Sequence, residues 1–226
     1  MSGIQGSPFR VILLAATMVA LLATSLFSAD IKTLHKQAEA GDAESQFNIG
    51  VMYENGSGAK QDYAEAAKWH RKAAEQGHTL AQISLGTMYG EGKGVPQDYA
   101  EAIKWFRKAA KQGDAGAKYN LGVAYGAGVG VPQDYAEAVK WYRKAAEQGD
   151  AKAQNNLGAM YFKGEGVPRD FVQSYFWFSL AASSTSGDAS KEASDARDQV
   201  AKYLTPEKLM EAQRMTSDWE KSHPRK

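Results

Sequence analysis

Hydrophobic and polar positions recur along this chain with a period of 36 residues. The stretch GVGVPQDYAEAVKWYRKAAEQGD at residues 128–150 has a near copy, GKGVPQDYAEAIKWFRKAAKQGD, at residues 92–114. An altered copy starts at Gly56, and a degenerate copy starts at Gly164. A constant period of this length predicts an array of helical repeats, in which each repeat packs against its neighbours.

The first half of each repeat has the hydrophobic spacing of an amphipathic helix, which we name helix A. A large aliphatic residue and a glycine precede a tyrosine by three to four residues, so the three share one helical face. The glycine leaves a gap that lets a neighbouring helix approach. These sets are Ile49-Gly50 with Tyr53, Leu85-Gly86 with Tyr89, Leu121-Gly122 with Tyr125, and Leu157-Gly158 with Tyr161.

The second half of each repeat predicts another helix, helix B, after a glycine-rich loop. An aspartate precedes helix B, and a Glu or Gln three residues later makes the pair an acidic version of the capping box. These pairs are Asp62/Glu65, Asp98/Glu101, Asp134/Glu137 and Asp170/Gln173. A tryptophan recurs at one position inside helix B, and we expect this column to form inter-repeat core. The column consists of Trp69, Trp105, Trp141 and Trp177.

In the third repeat the full pattern A-x3-L-G-x2-Y-x2-G-x-G-V-P-x-D-Y-x2-A-x2-W-Y-x-K-A-A-x2-G extends from Ala117 to Gly149. This pattern resembles that of Sel1-like repeats, which are relatives of the tetratricopeptide repeat. The resemblance covers residues 43–188 and implies an all-α fold, a right-handed α-α solenoid of helix-turn-helix repeats. The predicted repeats are residues 43–78, 79–114, 115–150 and 151–188.

Both ends of the array are predicted to be capped, because an end repeat would otherwise expose its apolar face. Residues 30–42 end in KQAEAGD, a worn copy of RKAAEQGD, and indicate an N-terminal half-repeat cap. In helix B of the fourth repeat, FVQSYFWFSLAA at residues 171–182, apolar residues replace charged ones. Residues 189–226 are therefore predicted to form a C-terminal helical cap, which covers this helix, and a basic tail.

Residues 11–27 form a charge-free apolar run, preceded by Arg10 and followed by Asp30. This pattern predicts a secretory signal peptide over residues 1–29. A retained membrane anchor is the alternative, since the run is only slightly short of a bilayer span. Either version exports the repeats, so the protein is expected to be periplasmic or secreted, or anchored with its repeats facing the periplasm. A membrane contact is expected only through residues 11–27, if the signal is uncleaved.

Composition and motifs exclude several classes of function. The net charge is +1 without a basic stripe, so no nucleic-acid partner is expected. The chain has no cysteine, which excludes thiolate metal sites and a cysteine nucleophile. The 4 histidines share no metal-like spacing, and the carboxylate pairs and glycine-rich loops recur as caps and turns. We therefore predict no catalytic residue, no cofactor and no metal.

The binding residues are predicted from positions that vary between repeats. In tetratricopeptide relatives helix A lines the concave surface and contacts the ligand from fixed positions, and the resemblance implies the same here. Most residues at these positions are apolar, which favours another protein or a peptide as the partner. The predicted protein-binding residues are Phe47, Val51, Ile83, Thr87, Tyr119, Val123, Asn155, Ala159 and Phe162.

The resemblance implies a scaffold or adaptor that mediates protein–protein interaction and is not an enzyme. A cell-wall peptide or glycan binder is the first alternative. It would need a row of exposed aromatic residues, and only Tyr119 and Phe162 support one. A β-lactamase-like hydrolase is the weaker alternative. The relatives described in this way are rich in cysteine, whereas this chain has none.

Overall fold

The computed structural model describes residues 31–184 and 186–223, and all regular secondary structure within these ranges is helical. The predicted signal peptide, residues 1–29, lies outside the described residues. Within the described ranges, no helix is both long enough and apolar enough to span a membrane.

Each of the four repeats contains two helices, as the hydrophobic pattern predicts. Helix A corresponds to α2, α4, α6 and α8, and helix B corresponds to α3, α5, α7 and α9. The helices of the described ranges are α1 (31–39), α2 (Ala43–Asn55), α3 (Tyr63–Glu75), α4 (Thr79–Glu91), α5 (Tyr99–Lys111), α6 (Ala115–Ala127), α7 (Tyr135–Ala146), α8 (Ala151–Lys163), α9 (Phe171–Ser184), α10 (Gly187–Ala201) and α11 (Pro206–Ser222). The chain divides into two compact units between His78 and Thr79, so unit 1 contains α1–α3 and unit 2 contains α4–α11.

Aspartate side chains begin most of these helices. At the start of helix B, the backbone N–H three residues on donates to Oδ1 of the preceding aspartate, at 2.9 Å for Glu101 and Asp98. Asp42, Asp114 and Asp150 cap helices A in the same way. Each cap satisfies one of the amide groups that have no carbonyl partner within the helix.

The prediction that the Glu or Gln side chain completes the capping box is wrong. The backbone N–H of Asp98 donates to the carbonyl of Tyr89 in helix A (2.9 Å), so it is not available to the carboxylate of Glu101. Glu101 pairs with Lys104 instead, with 2.7 Å between Oε2 and Nζ. The first, third and fourth repeats also direct the aspartate N–H to a tyrosine carbonyl. The bond joins the two helices of a repeat, and this tertiary contact takes the place of the local one.

The glycine gap of helix A is filled by an aromatic ring from helix B of the same repeat. A Cβ atom built on Gly122 would lie 2.6 Å from Cδ1 of Tyr142, and one on Gly86 would lie 2.8 Å from Cε1 of Phe106. Such contacts are too short for any side chain larger than hydrogen. The gap therefore lets the two helices of each repeat approach closely, with the ring as the filler.

The loop between helices A and B brings a second glycine against the preceding repeat. Gly130 has φ 71°, and a Cβ there would lie 2.7 Å from Cβ of Tyr99 and 2.9 Å from Cδ1 of Ile103. Only glycine combines the left-handed backbone with this close approach. The loop thus fixes the spacing between successive repeats in unit 2.

The tryptophan column is largely buried, as expected. Trp105 is 6% exposed and Trp177 is 5% exposed, and the half-buried Trp141 packs against a core cluster that contains Ile103 and Leu121. The ammonium group of Lys108 lies 3.7 Å from the centroid of the Trp105 ring. In the first three repeats, the lysine three residues after the tryptophan therefore covers its indole ring as well as facing solvent.

Helices α10 and α11 cover the apolar helix α9 of the fourth repeat. Trp219 of α11 makes edge contacts with Phe176 and Trp177, each with 5.9 Å between ring centroids. Val200 of α10 and Ala212 of α11 are buried in one cluster with aromatic residues of α9. These contacts explain why α9 lacks the charged positions of α3, α5 and α7.

Candidate functional site

In the first unit, the predicted binding residue Phe47 lies among other rings. Phe47 is half-buried and stacks on His78, with 4.7 Å between centroids, and its ring lies 5.4 Å from that of His70. His78 in turn is 2.9 Å from the carboxylate of Glu44. Phe47 therefore takes part in the packing of unit 1, and Val51, one helical turn later, is also half-buried.

In unit 2 the predicted residues fall into different environments. Ile83 is half-buried and packs against the core cluster that contains Leu121. Thr87 is half-buried, whereas Val123 is 38% exposed. These three residues of the helix A face thus differ in their exposure to solvent.

Tyr119 and Asn155 meet at a cavity of about 280 Å³. They belong to the same predicted column, in successive repeats. The first turn of α8 contributes Lys152, and Asn156 lies beside Asn155. The opposite wall comes from the end of α9 and the start of α10, including Glu192.

The polar groups of this cavity favour hydrogen bonding over proton transfer. Burial raises the pKa of Tyr119 and raises the pKa of Tyr142 to about 12, and hydrogen bonding from the Asn156 amide to each phenol oxygen opposes the shift. Both phenols therefore stay neutral near neutral pH. The cavity combines two amides and a phenol with one lysine and one glutamate, a set that can bind backbone and polar side chains of a peptide.

A smaller cavity of about 200 Å³ lies next along α8 and shares Asn156 with the first. It is lined by the predicted residue Ala159, by Tyr142, and by the charged pair Lys163 and Glu165. Asn156 therefore belongs to both cavities.

Phe162 packs against α9 and the turn between α10 and α11 and lines neither of these two cavities. Its ring lies 5.7 Å from that of Phe171 and 5.6 Å from that of Tyr203. The ring of Tyr119 lies 5.9 Å from that of Tyr142. Tyr119 and Phe162, the two aromatic residues that could have supported a glycan-binding row, thus both pack against neighbouring rings.

Among the residues of the Tyr119 cavity that sequence reasoning missed, three are polar: Lys152, Asn156 and Glu192. Asn156 could have been found, since polar residues recur at this position as Asn48, Ser84 and Asn120. Glu192 gave no such signal, because α10 has no counterpart in the repeats.

One match to a catalytic sequence motif occurs in the described ranges, and it lies in a loop. Residues 57–60 match the S-x-x-K pattern of serine hydrolases. Ser57 and Lys60 lie in the exposed loop after α2, and Gly58 between them has φ 85°, so the two are not on one helical turn. The described ranges also contain no cluster of three or more His, Asp or Glu side chains placed to hold a metal ion.

A model of the Sel1 repeat family matches residues 43–78, 79–114, 115–150 and 151–186, well over half of the chain. This chain belongs to the Sel1 repeat family. The last match ends at residue 186, one 36-residue period after Asp150, whereas the predicted fourth repeat ends at residue 188; α10 begins at Gly187. Sel1 repeat proteins are generally scaffolds for protein–protein interaction and are typically non-catalytic.

Solved structures similar to this Sel1 repeat chain include two with TM-scores above 0.6. A Sel1 repeat protein from Oxalobacter formigenes has a TM-score of 0.68 and 30% identity, over 84% of this chain and 86% of that one. A protective antigen of uropathogenic Escherichia coli with an SLR fold has a TM-score of 0.67 and 46% identity. The latter match covers 69% of this chain, which spans only 33% of the antigen's length. No curated protein sequence gives a match. The similarity confirms the predicted fold class, an all-α solenoid of Sel1-like helix-turn-helix repeats.

Proposed function

We propose that this chain is an exported Sel1 repeat scaffold or adaptor, and that it binds another protein or peptide through the helix A face of unit 2. The cavity at Tyr119 and Asn155 carries this proposal, since two residues of one predicted column meet there beside Asn156. Repeat stacking does not require this position to vary between repeats, whereas a binding surface does.

The size of the cavity suits the anchoring of a peptide. Its volume of about 280 Å³ lies just below the roughly 300–1,000 Å³ of typical small-molecule sites. A partner side chain can enter it while the amides of Asn155 and Asn156 bond the partner's backbone. Lys152 and Glu192 offer one charge of each sign at the same place.

The binding proposal is tested by comparing capture of the partner by wild type and variants. Immobilised protein is incubated with an extract of the exported compartment, and captured proteins are quantified by mass spectrometry. We expect Tyr119→Ala and Asn155→Ala to weaken capture of the same protein by at least about tenfold, as for anchor residues of other interfaces.

Tyr99→Ala is the matched control, because Tyr99 is 43% exposed and lines neither helix A cavity. It should capture as wild type does. Thermal melts accompany each variant. Loss of capture in the control together with full capture by Tyr119→Ala would place the binding surface elsewhere.

Export rests on residues 1–29 and has its own test. A reporter fused after residue 40 should be found outside the cytoplasm, and the mature amino terminus should lie near Leu26 or Asp30. An intact Met1 in the membrane fraction would favour the anchored form, and a cytoplasmic reporter would contradict both.

A further inference from the structure

The start of helix A holds a buried carboxamide that is paired in the first two repeats. In unit 1, Nε2 of Gln46 donates to the carbonyl of Ala38 (2.9 Å), and its Oε1 accepts from Nε2 of Gln76 at the end of helix B (2.7 Å). In the second repeat, Oε1 of Gln82 accepts from Nε2 of Gln112 (2.9 Å). A carboxamide from the end of helix B thus completes the hydrogen bonding of the buried one.

The third repeat keeps this pairing with a different donor. Lys118 takes the helix A position, and its Nζ donates to Oε1 of Gln148 at 2.8 Å. The end of helix B therefore supplies a glutamine partner in each of the first three repeats.

The fourth repeat breaks the pattern. Gln154 is 1% exposed, and its Nε2 donates to the carbonyl of Ala146 (3.1 Å), which fixes the orientation of the amide. The position of the missing glutamine is occupied by Ser184, whose side chain is shorter. Oε1 of Gln154 is buried and has no hydrogen-bond partner. A buried acceptor in this state is destabilising until a donor reaches it.

Gln154 lines a cavity of about 440 Å³ together with Ser184, which stands at the position of the missing glutamine. Leu180, at the position of a lysine in the other repeats, and Trp219 form apolar walls. Glu147 and Glu220 add two carboxylates to the lining, and the exposed Ser184 also borders the cavity. The volume lies in the range of ligand sites and far exceeds the roughly 30 Å³ that one water occupies.

We propose that this cavity binds the carboxamide side chain of a glutamine, supplied by a partner peptide or as the free amino acid. The amide N–H of the ligand donates to Oε1 of Gln154, as Gln76 and Gln112 do at the equivalent oxygens. Its methylene groups lie against Leu180 and Trp219. A lysine ammonium suits the cavity less well, since the apolar walls would remove its hydration.

This site shares no lining residue with the Tyr119 cavity, so it does not depend on binding through the helix A face. Failure of partner capture and failure of glutamine binding are therefore separate results.

The experiment is an NMR titration of the ¹⁵N-labelled protein. The first probe is the acetylated, amidated peptide Ala-Ala-Lys-Gln-Gly, which copies residues 109–113, where Gln112 fills the equivalent place. We expect the indole N–H signal of Trp219 and the side-chain amide signals of Gln154 to shift, with a Kd of about 1 mM or tighter.

Matched probes distinguish the chemistry and its source. The same peptide with Glu in place of Gln lacks the amide donor and should leave both signals unchanged, and one with Lys there should bind more weakly. Free L-glutamine tests whether the side chain alone is sufficient, and saturable binding by it or by the glutamine peptide supports the site. No shift with either at about 10 mM, or equal binding of the Glu or Lys peptide, would overturn the proposal.

A variant of the protein itself gives the second readout. Ser184→Gln restores the missing carboxamide, so it should fill the cavity, abolish the titration shifts and raise Tm by about 2–4 °C. The matched control is Ser186→Gln, at an exposed position that makes no side-chain cap bond and does not line the cavity. The control should bind and melt as wild type does. Undiminished binding by Ser184→Gln would overturn the assignment of the ligand to this oxygen.

Discussion

At the scale of single residues, only one of the two predicted capping-box bonds forms. Asp98 caps helix B as its position predicts, but Glu101 does not complete the box, because Tyr89 already accepts the Asp98 N–H. A sequence pattern indicates which groups can bond, while competition from a second helix decides which bonds form.

The aspartate and glutamate of helix B should therefore contribute unequally to stability. Asp98→Ala should lower the free energy of unfolding by about 1 kcal/mol, the usual loss for a helix N-cap. Glu101→Ala should cost less, since it removes only an ion pair with the exposed Lys104. Denaturant melts of both variants provide the comparison. Equal losses would show that Glu101 completes the capping box in solution.

His70 makes the first unit sensitive to acid. It occupies the ring position of Phe106, Tyr142 and Phe178, and its side chain is fully buried. Burial lowers the pKa of His70, the hydrogen bond that its ring donates to the Glu54 carboxylate opposes this, and nearby His78 lowers the pKa further. The unfolded chain, with a histidine pKa of about 6.5, therefore binds the proton more readily. Stability is fully present above about pH 6.5 and falls as the pH drops below it.

The variant His70→Phe removes the buried base and supplies the ring that the second repeat uses. Melting of the first unit should then depend less on pH between about 7.5 and 5.5 than in wild type. His35→Gln serves as the control, because His35 is only half-buried and bonds the carbonyl of Ile31. A wild-type pH dependence in His70→Phe would show that another group carries the effect.

At the scale of helices, α9 differs from the other helices B because α10 and α11 pack on it. Its buried residues include Phe176, Trp177 and Phe178, and the edge of Trp219 covers two of them. An apolar helix of this kind is stable only while other elements remove it from water.

Removal of α11 should therefore expose an aromatic surface on α9. A chain that ends at residue 204 is expected to bind the dye ANS and to aggregate on size-exclusion chromatography. A chain that lacks only residues 224–226 is the control and should behave as wild type. A monomeric, dye-free truncated chain would show that α10 alone is sufficient cover.

At the scale of the whole molecule, the two units differ in how much core each contains. The core clusters that hold Leu121, Leu157 and Val200 all lie within residues 79–226. Unit 1 has one complete repeat and the helix before it, whereas helical arrays generally need about three repeats for stability.

Expressed separately, the units should consequently behave differently. A fragment of residues 79–226 should give a helical circular dichroism spectrum and one cooperative thermal transition. A fragment of residues 30–78 should have little helix at the same temperature, because so few residues bury too little apolar surface. Cooperative unfolding of the shorter fragment would contradict this expectation.

The amino-acid sequence determined the period, the two helices of each repeat, the aspartate caps and the family. Each of these depends on interactions that recur every 36 residues, so the sequence encodes the same contacts four times. The column that contains Tyr119 and Asn155 was visible for the same reason, because its variation stands out against constant neighbours.

Only the tertiary structure decided what the C-terminal helices do to the last repeat. They bring Glu192 to the helix A cavity and Trp219 to the cavity that Gln154 lines. They also pack Tyr203 against Phe162, which a repeat column alone places on a binding face. No periodic signal encodes these contacts, since they join a unique segment to a repeated one. Their geometry depends on how α10 and α11 pack on α9 and leave space beside it.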